Sequence, residues 1–141
     1  MIVKFYDQVE DEKLKFAVIA ARAEGKWVFC KHKARTTLEV PGGHREPGEP
    51  ILDTARRELQ EETGATAFDL QPVCVYSVTD PDNFDGAETY GLLCTARVHA
   101  FGPIDSEMEK IVLTADLPTQ WTYPQIQPKL LAELERRGVI Q

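Results

Sequence analysis

The strongest structural constraint in this chain is a helix that is marked at both ends, from Pro50 to the residue before Gly64. Proline suits the first helical position, because its missing N–H has no hydrogen-bond partner to lose there. Glycine suits the left-handed residue that ends a helix. At about 100° per residue, Leu52, Ala55 and Leu59 form one apolar stripe between these ends. The pattern predicts an amphipathic helix that packs this stripe against a core.

Three glutamates of the same helix, Glu58, Glu61 and Glu62, follow the spacing i, i+3 and i+4 and therefore share one face. Glu62 lies beside Ala55, at the border of the apolar stripe. Crowded carboxylates repel one another, and partial burial makes this repulsion stronger. Helix geometry leaves two interpretations open: a solvated face neutralised by the neighbouring arginines, or a set of ligands for a divalent cation. Mg²⁺ prefers carboxylate and carbonyl oxygens and is commonly shared with substrate phosphates.

The residues around the helix read GHREPGEPILDTARRELQEETGA from Gly43 to Ala65. This segment resembles the Nudix box, Gly-x5-Glu-x7-Arg-Glu-U-x-Glu-Glu-x-Gly-U, in which U is a bulky apolar residue. The positions that match at the required spacings are Gly43, Glu49, Arg57, Glu58, Leu59, Glu61, Glu62 and Gly64. Ala65 departs from the pattern, because the family usually has a larger apolar residue there. Seven fixed residues at about 6% each would coincide on the order of once in 10⁸ windows, so the match is specific.

The resemblance implies the Nudix fold and hydrolysis of a nucleoside diphosphate linked to another group, usually with Mg²⁺ or Mn²⁺. The metal ligands that it implies are Glu61, Glu62 and the backbone carbonyl of Gly42. Glu58 corresponds to either a further ligand or the base that handles the attacking water. Arg57 and Glu49 correspond to a buried pair that orients the catalytic carboxylates. Phosphoanhydride cleavage needs neutralised oxygens and an oriented water, and a metal held by carboxylates can provide both.

Several residues outside the box are candidates for contact with the substrate. Basic residues lie on both sides of Gly42-Gly43, and they either contact phosphates or belong to a solvated turn. Of the two that follow the glycines, we expect one to contact the substrate. Two aromatic residues before the last helix either stack on a base or pack in the core, and packing is expected for at least one. These candidates are Lys33, Arg35, His44, Arg45, Trp121 and Tyr123. The segment DSEMEK is similar to a region where several Nudix enzymes carry an extra ligand or base, and its candidates are Glu107 and Glu109.

The remaining pattern predicts strands without a regular alternation of strands and helices. The predicted strands are 2–6, 14–21, 27–31, 37–40, 71–79, 89–101 and 111–113, and a final amphipathic helix is predicted at 125–137. Such an order indicates the α/β class in the broad sense (α+β), with a mixed sheet between helices as a three-layer sandwich. No repeat or linker interrupts the chain, so residues 1–141 are predicted to form a single domain.

Charge and cysteine content limit the kinds of binding partner and the cellular compartment that we expect for this protein. The net charge of −7 argues against tight binding to long nucleic acid, which requires a basic face, so the expected partner is a small nucleotide and no stable nucleic-acid complex. Cys30, Cys74 and Cys94 lie in apolar runs without CxxC spacing, which favours buried free thiols and a reducing cytoplasm. The acidic N-terminus does not resemble a signal peptide, and no stretch is long enough to span a bilayer. The sequence leaves the oligomeric state open.

The leading functional hypothesis is hydrolysis of a nucleoside triphosphate, including an oxidised one such as 8-oxo-dGTP, to a monophosphate and pyrophosphate. It rests on the resemblance to compact MutT-type Nudix proteins. One alternative is another Nudix substrate: a nucleotide sugar such as ADP-ribose, or the 5′ triphosphate end of RNA, which the negative charge disfavours. Another alternative is a domain that binds nucleotides without cleaving them. Such a domain could lose its glutamates, yet all of them are present here.

Overall fold

The structure, a computed structural model, describes residues 1–82 and 84–140. In this part of the chain, one seven-stranded mixed sheet is accompanied by two α-helices. The strands are β1 (Ile2–Tyr6), β2 (Leu14–Ala23), β3 (Lys26–His32), β4 (Gly42–His44), β5 (Ala65–Thr79), β6 (Glu88–Phe101) and β7 (Met108–Thr114). The helices are α1 (Ile51–Thr63) and α2 (Gln127–Arg136). The predicted mixed α/β sandwich is confirmed.

The sheet forms the middle layer of the fold, in the strand order β1-β5-β6-β2-β3-β7, and β4 pairs with β2 beside this row. The central strands β2 and β6 are parallel, and the other neighbouring strands are antiparallel. Side chains of β2 alternate between the two faces of the sheet. Ile19 packs in one apolar layer with Leu59 of α1, whereas Val18 packs in the opposite layer with Leu130 of α2. The two helices therefore cover opposite faces.

The glycines before α1 form a strand that the sequence did not predict. The prediction of a strand at 37–40 is wrong, because this segment forms only isolated bridges, such as the one between Glu39 and Cys30. The segment Gly42–His44 forms β4 against β2 instead. A side chain at Gly42 would overlap with the carbonyl oxygen of Ala17, so the absence of a Cβ permits this pairing.

The ends of α1 agree with the predicted helix to within one residue. Pro50 is the capping residue before the helix, with extended backbone angles, rather than the first helical residue. Gly64 ends the helix at φ 75°, as predicted for a left-handed terminal residue. A Cβ on Gly64 would also overlap with the carbonyl oxygen of Gly102, so both backbone angle and space require glycine. β5 then starts directly at Ala65 rather than at the predicted Gln71, because its first residues pair with the end of β6.

The cysteines and the lengths of the helices were also predicted from the sequence. Cys30, Cys74 and Cys94 are buried free thiols, as predicted. Residues 1–82 and 84–140 contain no helix of the length and apolarity that crossing a membrane would require.

Glu88 connects the edge strand β1 to the interior of the sheet. Its carboxylate accepts hydrogen bonds from the hydroxyls of Ser77 on β5 (2.5 Å), Tyr6 on β1 (2.5 Å) and Tyr90 on β6 (2.7 Å). The bond from Ser77, followed by those from the two tyrosines, lowers the pKa of Glu88 from 4.5 to about 2. The carboxylate is therefore ionised at neutral pH and holds three strands together.

We expect Glu88→Gln to lower the free energy of unfolding by on the order of 2 kcal/mol at neutral pH, because ordinary hydrogen bonds replace charge-assisted ones. Since the pKa of Glu88 is lowered in the folded state, its stabilisation is complete above the unfolded-state value of 4.5 and is lost as the pH falls toward about 2. Urea unfolding near neutral and near acid pH should therefore show a difference between wild type and variant that shrinks with acidification. The exposed Glu12 offers the matched control Glu12→Gln. A difference that stays constant with pH would assign the effect to packing rather than to charge.

Candidate active site

The double glycine of β4 and the middle of α1 meet at the candidate site. The N–H of Gly42 donates to Oε1 of Glu62 at 2.8 Å. A side chain at Gly43 would occupy the position of the Glu58 carboxylate, so the glycine permits the carboxylate to lie there. Both glutamates are buried, with 8% of Glu58 and 7% of Glu62 exposed. The pairing of Gly42 with Val18 on β2 thus fixes the position of two carboxylates relative to the sheet.

These two carboxylates lie in an environment that disfavours their negative charge. Burial raises the pKa of Glu62 to about 8, against the lowering effect of the hydrogen bond from Gly42. Repulsion from Glu58, Glu39 and Glu107 adds to this rise. Burial also raises the pKa of Glu58, despite a neighbouring guanidinium. A divalent cation would compensate these charges, and carboxylate oxygens are donors that Mg²⁺ prefers, so the residues fit such an ion.

The third predicted carboxylate, Glu61, points toward Arg57 rather than toward the glycines. Its side chain is half exposed, and its Oε2 lies 3.4 Å from Nη1 of Arg57. Among the residues that the structure describes, no three histidine, cysteine, aspartate or glutamate side chains are grouped closely enough to hold a metal ion. The structure therefore brings Glu58 and Glu62 together at β4 and leaves Glu61 to one side. The assignment of Glu61, Glu62 and the Gly42 carbonyl as ligands stays a prediction.

Arg57 connects the start of α1, β4 and the carboxylate face of the helix. It donates to both oxygens of Glu49 (Nε to Oε2 at 2.8 Å, Nη2 to Oε1 at 3.0 Å), to the carbonyl of His44 (2.9 Å) and to Oε1 of Glu58 (2.7 Å). The bonds from Arg57, together with one from the Thr54 hydroxyl at 2.6 Å, lower the pKa of Glu49 to about 2. The Arg57 side chain is only 24% exposed. The predicted pairing of Arg57 with Glu49 is present, and Glu58 is held by the same guanidinium.

The two acidic candidates at the start of β7, Glu107 just before it and Glu109 within it, differ in their surroundings. Glu107 raises the pKa of Glu58 and of Glu62 by charge repulsion, so it lies near the buried carboxylates. Glu109 pairs with Lys31, with Nζ 3.0 Å from Oε1, and this bond lowers the pKa of Glu109. Since Lys31 occupies Glu109, Glu107 stays the better candidate for the extra ligand or base.

The two basic residues after the glycines also differ. Arg45 donates to the carbonyl of Glu49 (2.6 Å) and to both the carbonyl (2.8 Å) and the carboxylate (2.9 Å) of Asp11. These bonds tie the loop before α1 to the segment before β2, so Arg45 is occupied in holding the fold. His44 is exposed, and its ring contacts the edge of Phe16 at a centroid distance of 5.9 Å. Of the two, His44 is the one available to a ligand.

The basic candidates before the glycines, Arg35 and Lys33, lie near Glu39 and Glu107, respectively. Arg35 pairs with Glu39, with Nη1 3.3 Å from Oε1. Lys33 has an exposed side chain, and its backbone N–H donates to the carbonyl of Glu107 at 3.0 Å. The backbone of Lys33 therefore lies beside Glu107. Its side chain forms no hydrogen bond or ion pair within the described residues.

The aromatic candidates before α2 separate into one packed and one exposed residue. The ring of Trp121 meets Phe29 edge-on at a centroid distance of 5.5 Å, in the apolar layer under α2. Tyr123 is 42% exposed. The expectation that at least one of them packs in the core is confirmed for Trp121, and Tyr123 stays a candidate for contact with a base.

Glu39 lies near the site, although no role was assigned to it from the sequence: it pairs with Cys30, whose thiol donates to the carbonyl of Glu62 at 3.5 Å. Its backbone pairs with Cys30 of β3 through two hydrogen bonds, of 2.8 Å and 3.0 Å, and only 6% of the residue is exposed. Burial raises the pKa of Glu39, against the effect of Arg35. The sequence feature that could have indicated this position is an acidic residue between Leu38 and Val40, since a charge between apolar residues is unusual.

Comparisons with known proteins show which sequences and structures this chain resembles. A family model described as NUDIX domain matches residues 11–134. Two curated proteins of Bacillus subtilis (strain 168) are similar in sequence. "Putative 8-oxo-dGTP diphosphatase YtkD" is 37% identical over 76 residues, which cover 54% of this chain and 48% of that protein. "ADP-ribose pyrophosphatase" is 44% identical over 64 residues, which cover 43% of this chain and 35% of that protein. The chain thus spans about half the length of the first relative and about a third of the second.

Among solved structures, a crystal structure of the Bacillus subtilis pyrophosphohydrolase BsRppH is similar to nearly the whole chain. It superposes with a TM-score of 0.79 at 25% sequence identity, and the match covers 99% of this chain and 93% of that one. The fold of this chain is therefore one that is already known from solved structures.

Proposed function

The chain belongs to the NUDIX domain family, and we propose that it is a divalent-metal-dependent hydrolase that cleaves a phosphoanhydride bond in a nucleotide. The observation that carries this proposal is the pair of buried carboxylates, Glu58 and Glu62, beside the backbone of Gly42 and Gly43. Buried negative charge without compensation is unfavourable, so a cation is the natural complement of this pair. Mg²⁺ keeps several waters and is often bound by one or two carboxylates together with substrate phosphates.

The residues of the site have distinct proposed roles. Those that would hold the metal are Glu61, Glu62 and the carbonyl of Gly42. An Mg²⁺ or Mn²⁺ ion held there would supply charge neutralisation for phosphate oxygens and a more acidic water. Glu58 either adds a ligand or accepts the proton of the attacking water. Arg57 keeps the Glu58 carboxylate in one orientation through its 2.7 Å hydrogen bond, and Glu49 fixes the guanidinium by a two-point contact.

We propose a nucleoside triphosphate, in normal or oxidised form, as the substrate. The similarity to YtkD, named for 8-oxo-dGTP, supports this choice. The similarity to an ADP-ribose pyrophosphatase supports the alternative of a nucleotide sugar. The likeness to BsRppH supports a pyrophosphohydrolase without naming its substrate, and the 5′ end of RNA stays a further alternative. His44 and Lys33 are the proposed contacts for phosphates, and the exposed Tyr123 is the proposed contact for the base.

With a nucleoside triphosphate and Mg²⁺, we expect a nucleoside monophosphate and pyrophosphate rather than a diphosphate and phosphate. The reason is that MutT-type proteins, which this chain resembles, direct water to the phosphorus nearest the nucleoside, and metal ions neutralise the departing pyrophosphate. Anion-exchange chromatography of the products identifies the bond that is cleaved. Hydrolysis in ¹⁸O-labelled water adds a second measurement, because the label should appear in the monophosphate.

A panel of dGTP, 8-oxo-dGTP, ADP-ribose and 5′-triphosphorylated RNA, ranked by kcat/KM, identifies the preferred substrate. Glu62→Gln protein prepared in parallel shows whether the measured activity belongs to this site or to a contaminant. If ADP-ribose alone is cleaved, the proposed hydrolase activity stands, and the proposed nucleoside triphosphate substrate is wrong. If no substrate is cleaved with Mg²⁺ or Mn²⁺, the protein is better described as a nucleotide-binding domain without catalysis.

A further inference from the structure

Two arginines differ from the others in this acidic protein. In the described part of the chain, every arginine except Arg22 and Arg97 forms an ion pair with a carboxylate. These two residues are register partners in the parallel pair of β2 and β6, so their side chains leave the same face of the sheet side by side. Like charges on neighbouring strands are destabilising. The arrangement is unexpected, because acidic residues outnumber basic ones by 23 to 16.

The two arginines line a cavity of about 410 Å³ at the end of the β2–β3 hairpin, together with His99. The guanidinium carbon of Arg22 lies 4.5 Å from the ring centre of Trp27. One of its nitrogens, Nη2, donates to the carbonyl of Gly25 at 2.7 Å. These contacts hold Arg22 in place, and its other N–H groups have no acceptor among the described residues. The side chain is thus ordered in advance for an anion.

The carboxylates near the cavity do not neutralise the two arginines. Asp69 is the neighbour of Arg97 on β5, but its Oδ2 is hydrogen-bonded to Nε2 of His99 at 2.8 Å. Glu24 also lines the cavity, in the hairpin turn, and it forms no ion pair with either arginine in the described structure. The positive charge therefore stays available to a ligand.

The cavity is separate from the candidate active site. Gly42 of β4 pairs with Val18, which precedes Arg22 on β2 by four residues, or roughly 13 Å of extended strand. Val18 and Trp27 pack in the layer under α2, on the face opposite α1. By the alternation along β2, Arg22 emerges on this α2 face as well. The sheet thus lies between the arginines and the helix that carries the glutamates.

We propose that Arg22 and Arg97 form a second anion site, which binds a phosphate group outside the active site. Two guanidinium groups from neighbouring strands line one cavity, and their N–H donors match phosphate oxygens. An anion between them would also replace the repulsion across β2 and β6 by attraction. The phosphate group belongs either to a free oligophosphate such as pyrophosphate or to the backbone of a ribonucleic acid. The proposal does not depend on the hydrolytic reaction.

Isothermal titration calorimetry with pyrophosphate tests the site, in EDTA and at constant ionic strength. EDTA removes the divalent cations that would allow pyrophosphate to bind among the buried glutamates. We expect saturable binding by the wild-type protein and at least a tenfold weaker Kd in the double variant Arg22→Gln/Arg97→Gln. Arg97→Gln alone should weaken binding as well, and this exposed position is suited to substitution without loss of the fold. The matched control is Arg56→Gln, because Arg56 is exposed and paired only with Asp53.

A second titration, with a 5′-hydroxyl hexaribonucleotide, distinguishes the two sources of the phosphate group. Weaker binding of this RNA in Arg97→Gln identifies a nucleic-acid backbone as the ligand, whereas an effect on pyrophosphate alone identifies a free oligophosphate. Unchanged affinity for both ligands in the double variant would overturn the site, as would a wild-type protein that shows no saturable binding of either. Hydrolysis is measured on the same proteins and should be retained, since neither arginine belongs to the active site.

Discussion

Glu62→Gln is expected to lower kcat/KM by at least about 100-fold in the presence of Mg²⁺, the effect of removing one charged group from an electrostatically organised site. The substitution keeps the shape of the side chain and the oxygen that accepts the N–H of Gly42. It removes only the negative charge that we propose to bind the metal. Glu61→Gln is expected to act in the same direction, through an exposed carboxylate that must turn from Arg57 toward the cation.

Measurements of metal binding and stability separate loss of charge from loss of fold. Calorimetric titration with Mn²⁺ should show weaker binding in Glu62→Gln, while the circular dichroism spectrum and the Tm should remain close to those of the wild type. Glu135→Gln, on the exposed face of α2, is the matched control and should leave activity unchanged. A Glu62→Gln protein with wild-type turnover would remove this residue from the mechanism.

The parts of the structure that the sequence could predict depend on neighbours along the chain. The helix that carries the glutamates is specified by its own residues: an apolar stripe, a proline before it and a glycine after it. The i, i+3 and i+4 spacing of the glutamates places them on one face in any helix. The contact of Arg57 with Glu49 followed from the resemblance to a known motif, and the structure contains it.

The parts that could not be predicted depend on contacts between distant segments. Arg45 could bind phosphate or hold the loop, and only the position of Asp11 in the folded chain decides that it holds the loop. Glu107 precedes β7 and Glu109 lies within it, so their different surroundings follow from the pairing of β3 with β7. The strand formed by the double glycine had no signal in its own residues, because β-propensity disfavours glycine. Its cause is the close approach of β2, which only a residue without a side chain permits.

Arg57→Ala is expected to lower the free energy of unfolding by about 2 kcal/mol and kcat/KM by at least about 100-fold. Arg57 is the one side chain that bonds to both Glu49 and Glu58 in the described structure. Without it, both carboxylates lose their guanidinium partner, although Glu49 keeps the hydrogen bond from Thr54. Glu58 is buried, and burial then favours its protonated form. A protonated Glu58 can neither hold a cation nor accept a proton from water.

Arg57→Lys and Arg56→Ala distinguish the geometry of this guanidinium from its charge. Lysine keeps the charge but cannot bond to both oxygens of Glu49 while also reaching Glu58 and the His44 carbonyl, so we expect stability to be partly restored and kcat to remain low. Arg56→Ala removes a neighbouring exposed arginine that pairs only with Asp53, and it should change the free energy of unfolding by less than about 0.5 kcal/mol. Urea unfolding and steady-state kinetics on the three variants measure both quantities. If Arg57→Lys recovers full turnover, charge alone is sufficient, and the proposal that Arg57 orients Glu58 is wrong.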